Sequence, residues 1–400
     1  MILKKIWNNK FIQDGVLSIG AKVVFFFVVQ FIIYPLLLVK MGDSEYGHFI
    51  TLMGYVSIFA YGCGEALNHI RVLNQKSDRE RAKEYRVIIF IEASLVLLLL
   101  TTYSLLWEKT SLYHSILYGM VAFFMMIRLY SEAMFRIEIN YKKILISASI
   151  SALGYLVGYF LYVGGMPWYT IFILGEATAV VYAGIAGGAF RAYQGFSKNF
   201  LQTIKSTATL TFSYLISYTL IYSDRILVEF LLSSDKVAVY YIATTYGKLV
   251  ALVIPPITSV LLSNISKGII TLNKRVVKLV TLGSLGAILL FFIVGIPVSR
   301  LMTYILYPSL YEASLPIMDI GNLAQIVYYS CSIINMLAIR LCDMKLQVKV
   351  EIAYSICFIT LGIIGALNYG LIGFALGTLI ANALRFIMLW IPVYNKVKET

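Results

Sequence analysis

The sequence predicts an all-α membrane protein of about twelve transmembrane helices, set in two six-helix bundles that are parallel repeats, with both termini cytoplasmic. Three observations carry this. Hydrophobic residues make up 60% of the 400 and charged residues only 13%, whereas a soluble domain carries about 25% charged residues. Apolar runs of the roughly 20 residues that a span requires recur along the whole chain. The Lys and Arg between those runs gather in alternate loops. The runs are solid rather than alternating. They therefore read as helices, which satisfy their own backbone in lipid, and not as barrel strands.

Taken in order, the expected spans are 12–40, 47–70, 87–107, 115–135, 144–163, 170–190, 207–231, 238–262, 279–299, 317–340, 350–368 and 372–394. They divide into halves at 1–200 and 201–400. The basic start, Lys4 and Lys5 before an apolar run, has no small-residue cleavage site, so the run is expected to be the first span. Twenty-four of the 33 Lys and Arg fall in the loops of one side. The other side holds Lys40, Lys109, Lys236 and Arg300. That asymmetry sets both termini in the cytoplasm. The net charge of +13 is spread over these short loops, so no nucleic-acid partner is expected. Pro35, Pro255-Pro256 and Pro297 sit inside spans and are expected to kink or hinge them. Gly154/Gly158, Gly184/Gly188 and Gly373/Gly377 have the spacing of close helix crossings.

Several function classes drop out. No loop is long enough for a soluble catalytic domain. No GxxxxGK[ST] phosphate loop occurs, so ATP is not expected to drive the chain directly. Cys63, Cys331, Cys342 and Cys357 lack CxxC spacing, and His48, His69 and His114 fall near span ends, where interfacial positions are the ordinary reading. No metal or cofactor is expected.

The most polar span lies in the stretch Thr211–Tyr246. Tyr214, Tyr218, Tyr222, Arg225 and Glu229 follow at spacings of four, four, three and four, which places them on one helix face. Such a face must meet a partner helix or internal water. The turn that follows, Leu231 to Tyr240, echoes Lys40 to Phe49 at the end of the first run. The echo falls half a chain apart and supports two copies of one unit.

Charges inside spans cost at least about 2.5–3.5 kcal/mol and need a cavity or a partner. Five cations qualify: Lys22, Arg128, Arg225, Lys248 and Arg385. Arg128 with Glu132, and Arg225 with Glu229, have the i, i+4 spacing of neutralised pairs. Lys22, Lys248 and Arg385 have no opposite charge one turn away and are candidates for a cavity that binds an anion such as a diphosphate. For Lys22, snorkelling to the interface is the plainer alternative. Asp224 and Glu229 are candidates for a coupling proton or sodium ion, with a structural salt bridge as the commoner role.

Two blocks carry a family resemblance. Met41-Gly42-Asp43-Ser44-Glu45-Tyr46-Gly47-His48-Phe49 is similar to an LGxxEYGxF block after span 1. Ser223-Asp224-Arg225-Ile226-Leu227, followed by Leu232 to Tyr240, is similar to an (I/S)D(K/R) segment with an LGxxxVGxY turn, although Ser233 and Ala238 replace the usual glycines. On these the chain resembles the polysaccharide-flippase branch of the multidrug/oligosaccharidyl-lipid/polysaccharide exporter superfamily. The resemblance implies movement of undecaprenyl-diphosphate-linked oligosaccharides from the cytoplasmic to the outer leaflet of a bacterial inner membrane, for O-antigen, capsule or related glycans. It implies alternating access coupled to an ion gradient, membrane lipids as surroundings and a glycan polymerase as a partner. It does not imply an enzyme. Competing readings are a cation-coupled multidrug exporter of the same superfamily, a membrane polymerase or ligase, which would want a larger outer loop, and the lipid-linked peptidoglycan precursor flippase, which has more spans.

Overall fold

The structure is a computed structural model describing residues 10–74, 78–188, 190, 196–197, 200–254, 257–258, 261, 265, 272–342 and 344–399. All regular structure among them is helical. In chain order the helices are α1 (Lys10–Phe26), α2 (Tyr34–Met41), α3 (Asp43–Phe59), α4 (Ala66–Leu73), α5 (Asp78–Leu106), α6 (Leu112–Ile137), α7 (Tyr141–Val163), α8 (Tyr169–Gly187), α9 (Phe200–Leu231), α10 (Ser234–Ala243), α11 (Thr245–Leu249), α12 (Lys274–Leu306), α13 (Tyr311–Leu341) and α14 (Met344–Glu399). Two π-helical segments interrupt the first two spans. Phe27–Ile33 joins α1 to α2, and Ala60–Glu65 joins α3 to α4. Pro35 follows the first of these at once, where its missing N–H suits a ladder already widened.

Nine helices among the described residues are long and apolar enough to cross a membrane. The ninth, Lys345–Lys396, contains two of the expected spans. Its backbone breaks at Tyr369 and at Gly370, whose φ of 58° is one that a glycine adopts without strain. The arms on either side cross closely, because a Cβ on Gly373 or Gly377 would strike the carbonyl of Gly365 or Leu361. The seventh expected span is α9, with 32 residues, long enough to cross but too polar to count with the nine. The eighth is not one helix. It is broken at Thr244 into α10 and α11, followed by the 3-10 turn Val250–Leu252. Pro255-Pro256, the expected hinge, lies outside the described residues.

The chain forms two compact units. One comprises residues up to Leu37 together with Leu52–Ser223, and the other Leu38–Thr51 together with Asp224 onward. This grouping differs from a division at 200/201 in two ways. The first 24 residues of α9 belong with the first unit, and a short segment from the start of the chain belongs with the second. In the first unit α1 packs on α7, α7 and α6 pack on α8, and α5 packs on α6. Gly154 and Gly158 let α7 lie against the α8 backbone at Leu174 and Ile171. In the second unit α13 is the hub, touched by α10, α11, α12 and α14. Its buried Ile334, Leu337 and Ala338 pack with Val350, Leu389 and Val393 of α14. The lipid-ready outside is apolar, with exposed rows such as Leu282, Leu289 and Ile293 on α12.

The two echoing blocks meet inside the second unit. Gly47 of α3 sits so close to the start of α10 that a Cβ there would overlap the Ser234 carbonyl. His48 Nδ1 lies 2.7 Å from Glu229 Oε1, and Ser234 Oγ donates to the same oxygen at 2.8 Å.

Candidate functional site

The five intramembrane cations separate into three kinds by what surrounds them. Arg128 on α6 and Arg385 on α14 are locked. The Arg128 guanidinium donates from Nε to Glu176 Oε2 and, at 2.8 Å, from Nη1 to Glu132 Oε1. It also lies 4.8 Å from the Phe25 ring centre. The Tyr155 hydroxyl donates to the other Glu176 oxygen at 2.5 Å. Four helices of the first unit thus meet at one neutralised cluster, with Arg128 and Glu176 buried. Arg385 donates to Glu351 at 2.5 Å and is packed between the Tyr328 and Tyr354 rings at 5.0 and 4.8 Å. The expectation that Arg385 lacks an opposite charge is corrected: Glu351 comes from the other arm of α14, beyond the reach of same-helix spacing.

Arg225 and Lys248 form the second kind. Asp224 Oδ2 accepts from Lys248 Nζ at 3.3 Å, and Asp224 Oδ1 lies 3.8 Å from Arg225 Nε. Both cations lie over one ring, Tyr241, at 5.0 and 4.9 Å. Two corrections follow. Lys248 has a carboxylate partner, brought from α9 to α11. The i, i+4 pair of Arg225 with Glu229 does not form, because Glu229 is taken by His48 and Ser234. Replacing Tyr241 with Leu should lower the second unit's stability by about 1–2 kcal/mol, since two partly desolvated cations lose the same aromatic face. Thermal unfolding of the purified protein checks this.

Lys22 is the third kind. It is exposed on α1, and no carboxylate or other partner holds it among the described residues.

A polar wall in the first unit is built by two facing helical rows. Tyr214, Tyr218 and Tyr222 of α9 meet Tyr61, Glu65 and His69 across from them. The Tyr214 hydroxyl is 2.5 Å from His69 Nδ1, and the Tyr218 hydroxyl donates to Glu65 Oε2. Tyr61 stacks on both Tyr218 and Tyr222, with centroids 5.2 and 6.2 Å away and planes 27° and 14° apart. Gly62 permits this approach, since any Cβ there would press into Leu215. Tyr61 and Glu65 both belong to the π-helical segment Ala60–Glu65, a backbone form concentrated at functional positions. Reading each histidine by its span position missed His69. The signal was present in the spacing: Glu65 and His69 are four apart, as are Tyr214 and Tyr218, and two such rows can pair rung by rung.

No protein-family model matches the sequence, and no curated protein matches it. Solved structures do match in fold. Lipid II flippase MurJ, in an inward closed conformation, is 17% identical with a TM-score of 0.63, covering 97% of this chain and 87% of that one. A Vibrio cholerae MATE transporter is 13% identical with a TM-score of 0.63, covering 99% and 98%. An inward-facing multidrug resistance MATE family transporter of the MOP superfamily is 12% identical with a TM-score of 0.65, covering 96% of each. The chain shares its all-helical fold with these three transporter structures.

Proposed function

We propose that this chain is a flippase that carries undecaprenyl-diphosphate-linked oligosaccharides from the cytoplasmic to the outer leaflet of a bacterial inner membrane, for O-antigen, capsule or related surface polysaccharide. The observation that carries this reading is Lys22, an exposed cation within an apolar span that no carboxylate holds in an ion pair among the described residues. A phosphate is the natural anion for such a group. Arg225 and Lys248, in the second unit, are further cationic candidates to meet the anion. Arg128 and Arg385, each held by carboxylates, support the helices around the path. Asp224 and Glu229 are the groups at which a coupling proton or sodium ion would act. The fold likeness to MurJ, named as a lipid II flippase, is consistent with a lipid-linked substrate.

A second reading, an ion-coupled multidrug exporter, draws on the likeness to the MATE structures. A cationic drug would want unengaged carboxylates; Glu132, Glu176, Asp224 and Glu229 are each bound to Arg, Lys or His, whereas Glu65 accepts only from Tyr218 and Glu92 only from Thr211 among the described residues, and these two are the carboxylates such a drug would meet. Deletion of the gene in its host separates the two. Loss of surface glycan with build-up of lipid-linked repeat units on the cytoplasmic side, reversed by the gene, supports the flippase. Normal surface glycan with altered drug sensitivity supports the exporter. Single unpolymerised units at the surface would point instead to a polymerase.

A further inference from the structure

We propose that Glu92 is a proton-binding site in the first unit, neutral while it faces Thr211, and that giving up this proton couples transport to a proton gradient. This rests on the ion-coupled part of the flippase reading and not on its substrate. It adds to Asp224 and Glu229 a carboxylate that no cation holds among the described residues.

Glu92 stands near the middle of the span Arg81–Leu106. At 1.5 Å per residue that is roughly 15–20 Å from either end. From 87 to 106 it is the one charged residue. Its oxygens are short of partners. Oε1 accepts from the Thr211 hydroxyl of α9 at 3.4 Å, longer than such a bond normally is. Oε2 is buried and meets no hydrogen-bond partner among the described residues. The same helix pair offers a comparison two turns away. Glu84 Oε1 accepts from the Ser197 N–H at 2.6 Å, and Glu84 Oε2 from the Thr203 hydroxyl at 2.7 Å. Glu84 and Glu92 have the same separation as Thr203 and Thr211, so one register is repeated. The two levels differ in whether the acid is satisfied. Thr207, between the two threonines in the same row, also buries a hydroxyl with no partner among the described residues.

The elements around Glu92 do not supply the missing charge. α6, α4 and the segment Ala60–Glu65 pack on α5. Of their ionisable side chains, Arg128 and Arg136 are paired with Glu132, and Arg71 donates to Met134 Sδ. His69 and Glu65 are bonded to Tyr214 and Tyr218 of α9, and His114 to Ser111 at the far end of α6. Tyr61, Cys63, Tyr118 and Tyr130 are neutral. On α5 itself Arg86 donates to the Phe190 carbonyl, and on α9 Lys205 is exposed near the helix start. An ionised carboxylate with neither a cation nor a second hydrogen bond is costly in an apolar span, and such a group takes a proton instead. The proton comes from water, forms an O–H bond on Oε2, and returns to water when the contact with α9 hydrates. A carboxylate neutralised by Arg or Lys has no such exchange to make.

The test is infrared difference spectroscopy of the purified full-length protein in nanodiscs, wild type against Glu92→Gln. At about pH 7 an ordinary glutamate is ionised, so the wild type is expected to show a protonated-carboxyl C=O band that Glu92→Gln lacks. Carboxylate bands in its place, with or without sodium in the buffer, overturn the proposal. Thr211→Val, which removes the donor to Oε1, should shift the band, and it identifies the band should Glu92→Gln fail to fold. A band that Thr211→Val leaves in place does not belong to Glu92 and overturns the assignment. Export is read as surface glycan in the complemented deletion strain. Gln keeps the shape of the neutral acid and cannot release a proton. Glu92→Gln should therefore accumulate as the wild type does and lose most of its export, while Glu92→Asp keeps part of it. Full export by Glu92→Gln would mean that the neutral acid only packs, which overturns the coupling role and leaves the flippase reading standing. If the wild-type gene itself restores no glycan, the flippase reading falls and the coupling role with it, while the infrared band still decides the proton site.

Discussion

Replacing Lys22 with Gln should reduce export of lipid-linked glycan by tenfold or more while the protein accumulates and melts as the wild type does. Hydrogen bonds to charged groups contribute about 1.5–3 kcal/mol, which corresponds to about 10- to 150-fold in binding. Lys22 is exposed and held by no other side chain among the described residues, so removing its charge leaves none of these buried without a partner. Function and stability are therefore expected to separate cleanly at this residue. Lys22→Arg should keep most of the activity, since any cation there meets a phosphate. Surface-glycan staining in the complemented deletion strain, read beside membrane protein level, checks both. Export that is unchanged in Lys22→Gln would remove the observation on which the functional reading stands.

Arg128→Met should behave in the opposite way, with little folded protein recovered. Glu176 is about 1% exposed and receives one hydrogen bond from Arg128 and one from Tyr155. Without the guanidinium it is a buried carboxylate with no counter-charge. Breaking a buried pair from one side costs about 3–5 kcal/mol, a large share of the roughly 5–15 kcal/mol that holds a folded domain. Arg128→Met combined with Glu176→Gln should recover most of the loss, because the remaining Glu132 still has Arg136 at 3.5 Å. A non-additive cycle of this kind marks a direct pair. Unfolding in denaturing detergent checks it. Equal losses in the single and double variants would mean that the charge, not the pairing, is what the helices need.

Much of the fold was readable because the hydrophobic period and the loop charges follow directly from what a bilayer requires. The positions of most spans, and the pair Arg128 with Glu132, follow from rules that act along one helix. What escaped depends on how helices are rotated against one another. Lys248 finds Asp224, and Arg385 finds Glu351, from separate elements, so neither pairing has a spacing to betray it. Glu229 has the right spacing for Arg225 and still pairs with His48, because a neighbour on another helix is nearer. The π-helical segments left no sign, since one added residue per turn is invisible to an apolar run. The Tyr214, Tyr218, Tyr222 face was legible as a face. Its partner was not, until Glu65 and His69 were seen as a row of the same period.

Residues 38–51 complete the second unit, and that fixes a schedule for its assembly. His48 and Glu229 are 181 positions apart. At a synthesis rate of about 5–20 residues per second, the early segment waits about 10–40 s for its mate. During that wait the bare backbone at Gly47 and the His48 ring have no Ser234 or Glu229 to meet. A chain begun at residue 201 would therefore be born without a piece of its own core. Two half-genes cut there should yield a second half that matures only when the first half is made alongside it, so that the early segment is supplied in trans.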